Sequence, residues 1–241
     1  MSLAITLDID WAPDFMIDWV AERLLARSVP ATWFVTHPSA AVERLKQRPD
    51  LFELGIHPNF SRGSSHGENP SNVLRHCMSI LPTARIMRTH QLVQSTPILT
   101  EIMQSTPIAV DCSIYQPHAT AAEATVLWYD GRALVRIPYV WEDDFEVERP
   151  RQIWRLREMA QPPLCVFGFH PIHVFLNSRS LDAYRQLKRE FPNLADATPI
   201  RSAELVNDGI GPLTMFDDVM ESISVAPRIR LLDVRDKVLA Q

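Results

Sequence analysis

Short runs of β-branched and aromatic residues recur along this chain, most of them followed by a stretch of helical periodicity, and this alternation is what most narrows the possible folds. Strands are expected within Ala4–Trp11, Ala31–Thr36, Phe52–His57, Ala84–Arg88, Ile108–Cys112 and Leu164–Phe169. Helices are expected over Asp14–Arg27, Ser39–Arg48, Asn69–Leu81, Thr96–Gln104, Arg149–Ala160 and Ser180–Phe191. Val126–Tyr129 and Ala133–Val140 flank Asp130-Gly131, a strong hairpin signal. Repeated strand-then-helix units imply parallel strands in a barrel or a doubly wound sheet. No low-complexity stretch or Gly/Ser linker divides the chain, so residues 1–241 read as one domain. Residues 199–241 form a C-terminal extension with two expected helices, Leu213–Ile223 and Arg228–Leu239, which can pack on the barrel or on a second subunit as a homodimer.

Ionisable residues gather where strands end, the edge at which parallel α/β folds collect reactive groups. Asp8 and Asp10 end the first run, His57 the third, Arg88 and His90 the fourth, Asp111 the fifth, and His170 and His173 follow the sixth. Two residues apart on a strand, Asp8 and Asp10 share a face and repel unless a cation or a proton separates them. Each residue has an ordinary structural alternative. Asp10 suits a helix cap, Arg88 a partner for Asp8, and a lone strand-end histidine is commonly a hydrogen-bonded structural residue. Glu142-Asp143-Asp144 reads as a solvated loop after the hairpin that can also meet a cationic substrate.

Bulk properties exclude some classes. A net charge of -5 speaks against a nucleic-acid polymer as partner, and no apolar run approaches the length of a membrane span. The first strand begins almost at Met1, without the pattern of a secretory leader, so a cytoplasmic location is expected. The three cysteines, Cys77, Cys112 and Cys165, lie in apolar contexts and read as reduced core residues.

From Thr6 to Ser178 these motifs resemble the polysaccharide deacetylase family, carbohydrate esterase family four, and especially the branch found with bacterial O-antigen biosynthesis. The resemblance implies a distorted (β/α) barrel with fewer than eight strands. It also implies hydrolysis of an N-acetyl group on an amino sugar with a divalent metal, commonly zinc. By chain order Asp8 is the base and Asp10 a metal ligand, with the reverse assignment open. His57 matches the first histidine of the second motif. The position four residues later is Ser61, and the following loop offers His66 as the remaining ligand, with Asn59 as the alternative. Arg88 matches the arginine that orients the base, and Asp111 the aspartate that partners the catalytic histidine. His170 is the general acid, although Gly168 stands where the family has leucine. His90 replaces a usual proline, and it joins Trp11 and His173 as expected substrate contacts. The amino-sugar substrate can be nucleotide-linked, lipid-linked or an oligosaccharide. The same rim suits a deformylase or cyclic-amide hydrolase, and loss of the second histidine at Ser61 suits a non-catalytic carbohydrate-binding relative.

Overall fold

The computed structural model describes residues 2–225 and 229–240. Its strands are β1 (Ser2–Asp8), β2 (Ala31–Val35), β3 (Phe52–Ile56), β4 (Ile86–Met87), β5 (Val110–Tyr115), β6 (Thr125–Tyr129), β7 (Arg132–Tyr139), β8 (Trp141–Glu142) and β9 (Leu164–Phe169). They form one sheet in the order β6-β7-β5-β4-β3-β2-β1-β9-β8. All pairs are parallel except the β6–β7 hairpin, whose turn places Asp130 and Gly131 at φ 48° and 72°. Only Val140 separates β7 from β8, so one stretch of chain borders β5 at one end and β9 at the other. The Val140 amide donates to the Val166 carbonyl (2.9 Å) and its carbonyl accepts from His118 N (2.9 Å), which closes the sheet into a distorted barrel.

Strand alternation sorts the residues between two apolar layers. Ala4, Phe34, Ile86, Val110, Cys112, Val135, Ile137, Tyr139 and Val166 fill the barrel interior. Leu3, Ile5, Leu7, Trp33, Phe167 and Phe169 lie under the surrounding helices. The interior set continues upward into the reactive rim. Asp8 follows Ala4 and Thr6 on β1, and His57 follows Glu53 and Gly55 along β3. Gly55 sits where a Cβ would lie 2.7 Å from the Ile86 carbonyl oxygen, so the strands approach there only because it has no side chain.

One expected helix is lost. The stretch 149–160 forms no α-helix, only a 3₁₀ turn at Leu156–Glu158. Trp154, Leu156 and Met159 are all buried, and the backbone is engaged elsewhere: the Ile153 carbonyl accepts from Trp141 Nε1 and the Leu156 amide donates to Asp218. Conversely, an unexpected short helix, Pro171–Leu176, starts right after His170.

The C-terminal region joins the barrel's cores. From helix Pro212–Ser224, Met215, Phe216, Val219, Met220 and Ile223 enter the outer core, with the Phe216 ring 5.1 Å from that of Phe169. Of the expected last helix, Arg228 lies outside the described residues, and the described part is Leu231–Leu239. Its Leu231 and Val234, with Ile229, stop the bottom of the barrel. Among the described residues no helix is long and apolar enough to cross a membrane.

Candidate active site

The rim site begins with a break in β1. The strand ends at Asp8, and Asp10 and Trp11 adopt left-handed φ values of 35° and 57°. Asp10 therefore lies in a tight turn rather than on the strand face it was expected to share with Asp8. Gln91 and Leu92, next to His90, repeat the feature at 53° and 54°. Each such residue costs on the order of 1–3 kcal/mol, strain that typically persists at functional sites because the surroundings impose it.

Asp8 and Arg88 form a buried pair. Arg88 Nη1 donates to Asp8 Oδ1 (3.0 Å), Nη2 to Thr6 Oγ1 (2.8 Å) and Nε to the Cys112 carbonyl (3.1 Å). The guanidinium lies between the Phe34 and Tyr139 rings, 4.7 and 4.2 Å from their centroids. With Oδ1 held this way, Asp8 Oδ2 lies 3.8 Å from His57 Nε2. Gly168 explains the departure from the family leucine, because a Cβ there would lie 3.2 Å from Glu142 Cγ and 3.4 Å from Arg88 Nη1.

A triangle of ligand atoms stands beside this pair. Asp10 Oδ1 is 3.1 Å from His57 Nε2 and 3.2 Å from His90 Nδ1, and the two nitrogens are 3.3 Å apart. A tetrahedral site with bonds of about 2.0–2.1 Å has ligand–ligand edges of about 3.3 Å, so the triangle fits one face of a zinc polyhedron. Four further observations suit a cation. Asp10 Oδ1 is enclosed and no donor meets it along a hydrogen-bond direction. His57 Nδ1 donates to the Arg88 carbonyl (2.8 Å), which orients Nε2 toward the triangle. Burial would raise the Asp10 carboxyl, yet contact with His57 and His90 holds it well below the usual carboxylate range. Burial would lower His57, but the charges of Asp8 and Asp10 raise it, so the site favours positive charge.

His66, expected as the third ligand, stands outside this triangle, and His90 takes its place. His66 Nδ1 accepts from the Asn59 amide (3.2 Å), which puts the ring proton on Nε2 and leaves no lone pair for a metal. Burial and neighbouring imidazoles push His66 down to about 4, so the ring stays neutral. Asn59 Oδ1 is likewise engaged, accepting from Ser61 N (3.0 Å).

The partner of His170 also differs from expectation. β5 runs on to Tyr115, which leaves Asp111 near its start, and because Val110 and Cys112 face the interior, Asp111 faces out. There it accepts from Arg136 Nε (2.8 Å) and Ser113 N (2.9 Å), so it does not orient His170. Asp143 does: His170 Nδ1 donates to Oδ1 (2.6 Å) and the His170 amide to Oδ2 (2.8 Å). Burial opposes protonation of His170, but the charges of Asp143 and Asp144 raise it well above its ordinary value. Its Nε2 is 3.6 Å from Asp10 Oδ2.

Glu142 and Asp143, read as a solvated loop, are buried. The rule that flagged the other sites, acids directly after an apolar run, also applies to this trio behind Tyr139-Val140-Trp141. Tyr139 donates its hydroxyl to Glu142 Oε2 (2.8 Å), and burial with the charge of Asp144 pushes Glu142 well above its usual range. Burial pushes Asp144 up to about 6.

Asp8, Asp10, His57, His90, Glu142, Asp144 and His170 line an inner cavity of about 170 Å³. It adjoins an outer cavity of about 560 Å³, which shares Asp10, His90, Asp144 and His170 and adds Trp11, His173, Tyr184 and Lys188. His173 is lowered to about 4 by burial and contacts Ser178 Oγ through Nδ1 (3.1 Å), so it enters this wall as a neutral ring.

Residues 5–188 match the family model of the WbmS-like polysaccharide deacetylases. The chain is similar in structure to WbmS of Bordetella bronchiseptica, described as a polysaccharide deacetylase involved in O-antigen biosynthesis. The TM-score is 0.78 at 30% identity, covering 91% of this chain and 90% of that one. Lower similarities link it to the polysaccharide deacetylase Bc1974 of Bacillus cereus (TM-score 0.43, 13% identity, 71% and 80% coverage). A family 4 acetyl xylan esterase of Clostridium thermocellum, solved with a cobalt ion, scores 0.40 at 12% identity (89% and 96% coverage). No curated protein matches the chain in sequence.

Proposed function

The chain belongs to the WbmS-like polysaccharide deacetylase family, and from that premise we propose that it removes an N-acetyl group from an amino sugar of a bacterial surface polysaccharide, using a divalent metal. The assignment of its Bordetella relative to O-antigen biosynthesis supports this substrate class. One observation carries the reading: Asp8, paired with Arg88, and His170, paired with Asp143, line one small cavity together with Asp10, His57 and His90.

In this reading Asp10, His57 and His90 hold the cation, with zinc favoured by the nitrogen-rich donor set. When bound, the ion supplies positive charge that polarises the acyl carbonyl and acidifies the attacking water. Asp8, fixed through one oxygen by Arg88, takes the proton of that water with the other. His170, held by Asp143, presents Nε2 to the departing nitrogen and gives it a proton, because an amide nitrogen leaves poorly unless protonated. Trp11 and Tyr184 wall the outer cavity, whose volume is in the range of ligand pockets and suits the flat faces of sugar rings.

The test is release of free amine from N-acetylated and N-formylated amino-sugar oligosaccharides by metal-replete protein. The expected result is amine from the acetylated substrate, abolished by chelation and restored by zinc. Amine from only the formylated substrate would make the chain a deformylase, and turnover that survives complete metal removal would exclude the metal mechanism.

A further inference from the structure

At the inner cavity Asp8 is held by Arg88, Glu142 accepts from the Tyr139 hydroxyl, and Asp10 belongs to the triangle with His57 and His90. Asp144 differs. It is the second residue of the short helix Asp143–Val147, and its own amide donates to Asp143 Oδ1 (2.9 Å). It lines both the inner and the outer cavity, so it stands where one opens into the other. Its Oδ1 is enclosed and accepts no hydrogen bond, an arrangement that is disfavoured unless a ligand supplies a donor.

The neighbours of Asp144 indicate which donor. Ligand atoms of Asp143, Asp144 and His170 lie within 4.8 Å of one another. If His170 protonates the leaving atom, that atom comes within hydrogen-bond reach of His170 and therefore close to the Asp144 carboxyl. In an amide the leaving atom is a nitrogen bearing hydrogen. In an ester it is an oxygen bearing only lone pairs, which a carboxylate repels.

We propose that Asp144 accepts the N–H of the scissile amide and so sets a preference for N-acyl over O-acyl sugars. This rests on the deacetylase reading above. In the step itself, the water oxygen bonds to the acyl carbon and its proton passes to Asp8. The C–N bond then breaks as the His170 proton moves to nitrogen, and acetate and a free amine depart. Asp144 keeps its hydrogen bond to nitrogen throughout and exchanges no proton.

The experiment compares kcat/KM for matched 2-acetamido and 2-acetoxy sugar oligosaccharides in the zinc-loaded wild type, Asp144→Asn and Asp144→Ser. The expected result is a fall on the amide at least tenfold larger than the fall on the ester in both variants. Equal falls on the two substrates would overturn the proposal and leave Asp144 a general electrostatic role. A wild-type arm needs no variant to fold: N-methylation of the acetamido group removes the N–H, and an undiminished kcat/KM would also overturn it. Absence of turnover on every acyl sugar by the wild type would instead overturn the deacetylase reading, and this inference with it.

Discussion

Single residues in this site are separable by experiment because each carries a distinct set of contacts. Asp8→Asn keeps the shape of the side chain that Arg88 holds but removes the proposed proton acceptor. It is expected to retain fold and metal while kcat falls by about 10²–10⁴-fold, the usual worth of general-base catalysis; steady-state kinetics with elemental analysis checks both. The proposed metal triangle makes a second prediction. His90→Ala should weaken zinc binding by more than the roughly 10–100-fold that loss of an outer-shell partner costs, whereas His66→Ala should leave it nearly unchanged. Competitive zinc titration against a chromogenic chelator measures both variants, and equal losses would return His66 to the ligand set. The two histidines look alike in sequence. They differ because Asn59, seven residues away, donates to one, while Asp10 faces the other from just past the end of the first strand.

At the scale of elements, β3 carries a polar residue at each end of one inward face: His57 at the rim and Glu53 toward the base. Glu53 accepts from Thr32 Oγ1 (2.9 Å), Leu231 N (2.9 Å) and Leu232 N (3.4 Å), so it caps the start of helix Leu231–Leu239 and ties it to the barrel. Burial raises the Glu53 carboxyl despite these donors. A carboxyl raised in the folded state penalises folding once it ionises, so its contribution is most favourable at low pH and declines as pH climbs above the unfolded value of about 4.3. Glu53→Gln keeps an acceptor without the charge. The Tm of wild type minus that of the variant should therefore be smaller at pH 7.5 than at pH 4, as measured by thermal melts. Leu231→Ala removes a fully buried plug residue and should cost about 2–5 kcal/mol in denaturant unfolding. The kcat of the folded fraction should be unaffected, because the plug and the rim lie at opposite ends of the barrel.

For the whole molecule, the proposed metal site ties cation binding to the fold. A cation bound by the folded site and not by the unfolded chain stabilises by about 2.7 kcal/mol at a hundredfold excess over Kd. Added zinc should therefore raise the Tm of wild type but not of His57→Ala, in scans with and without chelator. Since Pro212–Ser224 packs into the same core as β1 and β9, residues 1–241 are expected to unfold in one transition, which calorimetry can test. A separate transition for 199–241 would instead make the extension an independent unit.

Local pattern alone was enough to place most strands and helices of this chain, a parallel α/β architecture, and the gathering of Asp8, Asp10, His57, Arg88 and His170 at strand ends; the family resemblance narrowed that architecture to a distorted barrel. Those features depend on period-2 and period-3.6 alternation and on turn chemistry, which act between near neighbours. Tertiary structure decided the rest. It set His90 rather than His66 beside Asp10 and His57, paired His170 with Asp143 rather than Asp111, buried Glu142 and Asp143, and drew 149–160 out of helix. Each of these outcomes depends on where one side chain points and which distant group pairs with it. A shift of one position along a strand reverses that direction, as the outward-facing Asp111 shows, and local periodicity does not say which strand will run on past a polar residue.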